Sequence, residues 1–396
     1  MNSARTTNSV ETALRSLTLT AKPSNKPTPE HLMWSTCRLN PWKGGNGALL
    51  PDQSGDPRLV NDFYSYTDIS LPAAAPTTFN LFTVPFLPYN ALFLPATSGA
   101  AITLSGSNNS SSGPGAGGAR SLTYTTGASN LPVPINFTKS AGTQYYSDRP
   151  GIVSPNNYIT ADKARVSTMG WRLLYTGPAN SCQGVVTVTS SPIKNDDIVA
   201  KQVGRIQLGS ATNTPQAILD CTTTAFKIMP LNLPVYNAQG KDQVIGRPEQ
   251  GLKGLVRHSG ANYLWKEMHE QPILLTQDNA GANQISGTLQ GTVATSQDGA
   301  GVFQPNLSTV DYGSINFSDD EWDSTVIQVA NATGSFRFET WMCVEYIPTP
   351  ETAVYDSAKK VQIVNETVVH NTTAVAARQP IAVPSVNNAV DQDLAP

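Results

Sequence analysis

The sequence predicts an all-β chain of antiparallel strands folded into a sandwich, and three observations carry that prediction. Only 14% of the 396 residues are charged, while 30 glycines and 29 prolines supply many turns, a composition of short strands and broken loops rather than helices. Hydrophobic residues make up 39% and fall in strand-like patterns, which excludes a disordered chain. The stretch Arg165 to Thr189 is the most telling. Met169, Trp171, Leu173 and Tyr175 alternate onto one face of a strand, and Thr168, Gly170, Arg172 and Leu174 onto the other. Gly177-Pro178 stops that strand, and the β-branched run Val185 to Thr189 begins a second.

The elements follow in order. Residues 1–55 form an N-terminal arm. Asn8 and Glu11 have capping-box spacing, and Val10, Leu14 and Leu17 share a helical face, which predicts a short amphipathic helix. A polar, proline-punctuated arm and an aromatic, glycine-rich stretch through Trp34 and Trp42 come next. Leu59 to Leu71 reads as a strand, and Thr78 to Leu94 as one or two more, broken at Pro85 and Pro88. From Ala96 to Ala161 the chain is loop-like, an exposed insertion near 97–160 with short strands at Ser121 to Thr125 and Val133 to Phe137. Gln202 to Leu208 and Ala217 to Met229 are strand-like. Pro230 to Glu270 reads as a long connection whose tail, Ala261 to Glu270, suits a short helix, and a second projecting insertion is expected near 275–315.

Asp323 to Ala330 and Ser335 to Ile347 read as a hairpin around Asn331-Ala-Thr-Gly334. In its last strand Phe336, Phe338, Thr340, Met342, Val344 and Tyr346 line one face, and Arg337, Glu339, Trp341, Cys343 and Glu345 the other. Beyond residue 350 a C-terminal tail, 351–396, is helix-compatible over TAVYDSAKKVQIV and extended over VAARQPIAVPSVNNAVDQDLAP, residues 375–396.

Composition also bounds function. A formal net charge of -3 gives no global attraction for nucleic acid, so such binding must be local. Cys37, Cys182, Cys221 and Cys343 show no metal-ligand spacing and are expected to be buried apolar groups. Neither a signal-peptide core nor a run of ~18 apolar residues is present, so the chain is expected to be made in the cytosol, stay soluble and have no membrane partner. His31, His258, His269 and His370 stand in unrelated contexts with no nucleophile motif, and the chain is expected not to be an enzyme.

Two separated segments resemble one family. The stretch 170–188, GWRLLYTGPANSCQGVVTV, is similar to the strand, Tyr-Thr-Gly-Pro turn and strand of single jelly-roll capsid proteins of nodavirus-like and tombusvirus-like shells, a type that includes the bacilladnavirus capsids of diatom viruses. Residues 326–350 resemble their closing strands, which end in a Glu-aromatic pair followed by proline, here Glu345-Tyr346-Ile347-Pro348. The resemblance implies an eight-stranded antiparallel jelly roll over 56–350, decorated by insertions. It implies a coat protein of the virion that assembles with itself into an icosahedral shell around a single-stranded RNA or DNA genome, with projecting loops meeting a host receptor. The arm departs from the family in lacking dense arginine: Met1 to Lys43 holds six basic and two acidic residues.

Specific residues follow from these readings. Arg5, Arg15, Lys22 and Lys26 are the candidates for sequence-independent phosphate contact, against the alternative of a solvated arm that ties subunits together. Lys253, Arg257, His258 and Lys266, near Tyr263 and Trp265, are a second basic-aromatic group, for which a surface loop is the commoner explanation. Asp319, Asp320 and Asp323, with Glu321, form the densest carboxylate cluster and are the candidates for calcium between subunits, although a solvated turn is commoner. No other cofactor is expected. The rival function is a carbohydrate-binding sandwich with Trp171, Trp322 or Trp341 as stacking platforms, and it requires those rings to be exposed.

Overall fold

The computed structural model describes residues 27–42, 48–52, 56–73, 75–83, 85–87, 89–96, 101–110, 119–125, 133–137, 161–191, 199–203, 206–208, 217–219, 224–228, 242–258, 260, 263–267, 273–275, 295–297, 303–305, 315–316, 321–348, 350, 355–356, 358 and 364–385. In chain order these form α1 (Pro29–Leu39), β1 (Leu59–Ser70), β2 (Thr77–Thr83), β3 (Phe86–Leu87), β4 (Tyr89–Pro95), β5 (Ala101–Ser110), β6 (Ala119–Thr125), β7 (Val133–Phe137), β8 (Ala161–Tyr175) and β9 (Val185–Ser191). There follow β10 (Val199–Val203), β11 (Ile206–Leu208), β12 (Ala217–Leu219), β13 (Thr224–Ile228), β14 (Asp242–Gly246), β15 (Leu252–Leu255), β16 (Lys266–Glu267) and β17 (Ile273–Leu275). The chain continues with β18 (Thr295–Gln297), β19 (Phe303–Pro305), β20 (Ile315–Asn316), β21 (Ser324–Ala332), β22 (Ser335–Pro348), α2 (Glu366–Arg378) and β23 (Val383–Pro384).

Eight strands make the sandwich: β15-β8-β22-β1 in one sheet and β14-β9-β21-β2 in the other. Taken in chain order, the first pairs with the eighth (β1 with β22), the second with the seventh (β2 with β21), the third with the sixth (β8 with β15) and the fourth with the fifth (β9 with β14), all antiparallel. That is one long hairpin rolled up so that successive pairs fall in alternate sheets, which is the topology of a jelly roll. The first sheet is extended by β5 and β6 beside β1 and by β23 beside β15, with β16 on β8; the second is extended by β4 and β7 beside β2.

Alternation explains the core. Phe79, Phe93 and Phe336 pack as rings, with centroids 5.5 and 5.7 Å apart. Met169, Trp171 and Leu173 enter from β8, Val186 and Val188 from β9, and Phe338, Met342 and Val344 from β22. All are buried, as the period-two reading of β8 and β22 requires. Truncating one such large side chain costs about 3–5 kcal/mol. A buried polar knot lies in this core: Ser65 and Thr340 hydroxyls meet at 3.1 Å, Thr340 Oγ1 meets Asn90 Oδ1 at 2.6 Å, and Asn136 Nδ2 donates to Thr340 Oγ1 at 2.8 Å.

Several expectations are corrected. Asp323 to Ile347 is not a hairpin, because β21 pairs with β2 and β9 while β22 pairs with β1 and β8, in the opposite sheet. Likewise β8 and β9 lie in different sheets. Local sequence shows that a strand turns, but the partner is chosen by long-range packing. The fifth and sixth sandwich strands, β14 and β15, fall inside the stretch read as a long connection, and the helix expected at 261–270 is absent among its described residues, where β16 pairs with β8. These strands are only 5 and 4 residues long and carry glycine, so their pattern is faint.

The stretch 97–160 contributes β5, β6 and β7, and Ile102, Leu104 and Ile135 are fully buried, so it is not wholly an exposed insertion. The strand-like run 199–228 lies in the connection between the fourth and fifth sandwich strands, and its β13 pairs in parallel with β17 from the later connection. The helix expected near Asn8 to Leu17 lies outside the described residues. α1 occupies part of the supposed extended arm. Thr28 caps it through a reciprocal hydrogen-bond pair with His31, and Pro29 stands in its first turn. In the tail, expected to be extended from Val375, α2 (Glu366–Arg378), capped by Asn365, runs four residues into that stretch before the chain extends from Gln379.

Candidate functional site

Two surfaces of the sandwich gather functional-looking side chains. The first is a paired corner. Thr176 and Gly177 N–H groups both donate to Ser335 O, at 2.8 and 3.2 Å, so the β8–β9 crossing lies against the β21–β22 crossing. Tyr175 OH donates to Pro178 O at 3.1 Å, and Thr333 Oγ1 donates to Ser181 O at 2.6 Å. Gly184 at φ +104° and Gly334 at φ +88° hold left-handed turns that a side chain would strain. A Cβ on Gly184 would stand 2.5 Å from Ala330 O, a backbone atom that cannot give way. The segments 170–188 and 326–350, chosen in the sequence for one resemblance, are thus two sides of one corner. It holds no acid-base pair and reads as architecture.

The second surface is the outer face of the β8–β22–β1 sheet, where the odd-numbered side chains of β22 point. Glu345 is fully buried there and accepts from Arg165 Nε at 3.0 Å and Nη2 at 2.7 Å, from Arg58 Nη1 at 3.2 Å and from Leu50 N. Asp52 pairs with both arginines, at 2.9 Å to Arg58. Burial alone would raise the Asp52 carboxyl, but the hydrogen bond and charge of Arg165, with Arg58, outweigh it and hold it below the usual aspartate range. Trp265 covers the Arg165 guanidinium at 4.1 Å. Further along, Glu339 binds Arg172 and accepts from Tyr64 OH at 3.0 Å, and Trp42 covers Arg172 at 4.8 Å.

A layer built from α1, residues 48–52, the Tyr263 segment and α2 lies over this face. Trp34, Cys37, Leu50, Tyr263, Val368 and Val369 pack with Trp341 and Cys343 in a second apolar cluster. Ser35 and Thr372 hydroxyls join α1 to α2 at 2.9 Å, and Asn365 N donates to Pro51 O at 3.0 Å. Burial, then Asp62, pushes the Cys37 thiol up to about 12, and burial with Asp62 also raises Cys343 well above the ordinary thiol value. Neither is a poised nucleophile. Among the described residues Cys37, Cys182 and Cys343 form no disulfide; Cys182 is only half-buried, and Cys221 lies outside the described residues.

The residues singled out by the sequence fare unevenly. Arg5, Arg15, Lys22, Lys26, Asp319 and Asp320 lie outside the described residues. Asp323 N donates to Arg257 O at 2.9 Å. Glu321 stands 3.6 Å from His258 Nε2. Among the described residues no three His, Cys, Asp or Glu side chains gather as a metal site. Of the second basic-aromatic group, His258 and Tyr263 are buried, whereas Lys253, Arg257, Trp265 and Lys266 are half-buried. His258 is 1% exposed, stacked on Tyr263 at 4.4 Å and edge-on to Trp322 at 4.7 Å. Burial, then Arg38, lowers its pKa to about 3. Arg257 is engaged by Asp242 and by Gln379 O. Trp171, Trp322 and Trp341 are 0%, 3% and 7% exposed, so none offers a face to a sugar. His31 serves the α1 cap and His370 is exposed on α2.

No protein-family model matches the chain. No curated protein matches it either. Among solved structures it is similar to the T13 particle of infectious bursal disease virus, at 7% identity over 98% of this chain and 97% of that one, with a TM-score of 0.45. It is similar also to the VP2 subviral particle of that virus, at 8% identity over 91% and 98%, TM-score 0.46. The Penaeus stylirostris densovirus capsid matches at 9% identity over 78% and 90%, TM-score 0.22. The jelly-roll assignment rests on the strand order and register of this chain itself.

Sequence reasoning missed the charged cluster as a unit. Glu345 was legible on one face of its strand, whereas strict alternation puts Arg165 on the face of Met169 and Trp171; the register shift between Cys343 and Val344 is what sets Arg165 opposite Glu345 across β8 and β22. Asp52 and Arg58 sit in a stretch with no periodic signal.

Proposed function

We propose that this chain is a viral coat protein that assembles with itself into an icosahedral shell. One observation carries the reading: the two segments that resemble capsid strands, 170–188 and 326–350, meet as one corner and one strand pair at the centre of an eight-stranded jelly roll. The finer type, nodavirus-like or tombusvirus-like, rests on that resemblance. The layer of α1, residues 48–52 and α2 covers one face of the sandwich, an arrangement suited to a subunit with one inward and one outward side. Arg5, Arg15, Lys22 and Lys26 then serve as sequence-independent contacts to a single-stranded genome. The projecting insertion near 275–315, with the parts of 97–160 outside the sandwich strands, would provide the loops that meet a host receptor. Calcium at Asp319, Asp320 and Asp323 would join neighbouring subunits. The buried tryptophans disfavour the lectin reading, and no catalytic role is proposed.

The purified chain is tested by electron microscopy and by the nucleic acid it retains. Regular hollow particles support the shell, and loss of retained nucleic acid on replacing the four arm bases by glutamine supports the genome contact. A monomer at high concentration sinks the proposal. Disassembly by a calcium chelator tests the metal separately.

A further inference from the structure

Arg38 stands in the last turn of α1 and is 1% exposed. Its Nε donates to the Tyr263 hydroxyl at 3.1 Å, and that hydroxyl meets Thr373 Oγ1 of α2 at 3.4 Å. Neither Nη1 nor Nη2 has a hydrogen-bond partner among the described residues. Arg165 is different, since Glu345 and Asp52 neutralise it in the same layer. A guanidinium is charged at every relevant pH, and enclosing it without a counter-charge is strongly unfavourable. The carbonyl end of α1 supplies only a fraction of a compensating charge. The Arg38 charge is felt nearby, since after burial it is the second cause that keeps the His258 ring neutral.

We propose that Arg38 holds a small oxyanion of the phosphate or sulfate class, enclosed between α1, the Tyr263 segment and α2. The two Nη groups form a planar fork that matches two oxygens of such an ion. Water would satisfy the N–H groups and leave the charge uncompensated. An exposure of 1% leaves no route for the side chain of a neighbouring subunit or for a nucleic-acid backbone, so the occupant is a free ion taken up as the layer closes. The inference is independent of the shell reading.

The test uses the full chain, refolded from urea in phosphate-free buffer and then melted in increasing phosphate or in sodium chloride of matched ionic strength. In the wild type the midpoint rises with phosphate beyond the chloride control, as for any ligand that binds the native state alone. Arg38→Leu, whatever its own midpoint, shows no phosphate-specific rise, and Arg38→Lys, which keeps charge but loses the fork, shows a smaller one. Should Arg38→Leu fail to fold, equilibrium dialysis of labelled phosphate against the wild type decides, with one ion bound per chain expected. A wild-type midpoint indifferent to phosphate, an equal rise in Arg38→Leu, or no bound ion overturns the proposal.

Discussion

Replacing Glu345 by glutamine is the sharpest test of how the end layer is held to the sheet. The glutamine keeps the volume but removes one negative charge, and it turns an acceptor towards Arg165 and Arg58 into a donor. Four hydrogen bonds converge on this side chain, which is 0% exposed, so no solvent replaces what is lost. Breaking a buried ion pair from one side costs about 3–5 kcal/mol. Asp52 still faces both arginines, so the lower end, about 3 kcal/mol, is expected, a large share of the ~5–15 kcal/mol by which a folded chain is stable. Urea unfolding at pH 7 measures it, with the paired change Glu345→Leu and Arg165→Met as control. The paired variant should lose less than Glu345→Gln, because it buries no uncompensated charge at that pair. A cost within about 0.5 kcal/mol of wild type for Glu345→Gln would refute the idea that the cluster clasps the layer.

Gly184→Ala should destabilise by at least about 1–3 kcal/mol, since it strains a left-handed turn against the Ala330 carbonyl; thermal melting of the variant checks this. Thr340→Val should cost about 1–3 kcal/mol by stranding Asn90 and Asn136 in the core, whereas a substitution at exposed Thr367 should change the same melting curve little. Acid should loosen the fold in two windows. The His258 pKa is lowered in the folded state to about 3 from 6.5, so its neutral form contributes stability that is complete above pH 6.5 and declines below it, by about 2 kcal/mol at pH 5. The Glu321 carboxylate at 3.6 Å favours the charged ring, but burial outweighs it. Asp52, also lowered, contributes above its unfolded value near 3.8 and loses that contribution only below it. Unfolding free energies of His258→Asn measured from pH 5 to 8 should lack the upper window and keep the lower one on further acidification.

The strands with strict alternation were legible. Met169, Trp171 and Leu173 of β8 and Phe336, Phe338, Met342 and Val344 of β22 face the core as their alternation requires, and β1 was legible as a strand. Which strands pair was not legible, because Gly177-Pro178 and Gly334 mark turns equally well in a hairpin and in a crossing between sheets. α1 escaped notice because its capping partner is His31 rather than glutamate or glutamine. α2 is rich in valine and threonine, weak helix formers, and burial of Val368, Val369, Thr372 and Thr373 overrides that propensity. The charged cluster was invisible for a related reason: Asp52, Arg58, Arg165 and Glu345 are distant in sequence, and only the rolled topology with its end layer brings them together.

Electron microscopy of the purified full-length chain at increasing concentration tests the central claim most directly. Closed particles of uniform diameter are predicted, with the sandwich in the wall and the α1–α2 layer on the inner side. A chain that stays monomeric at every concentration, or that forms only irregular aggregates, would contradict it.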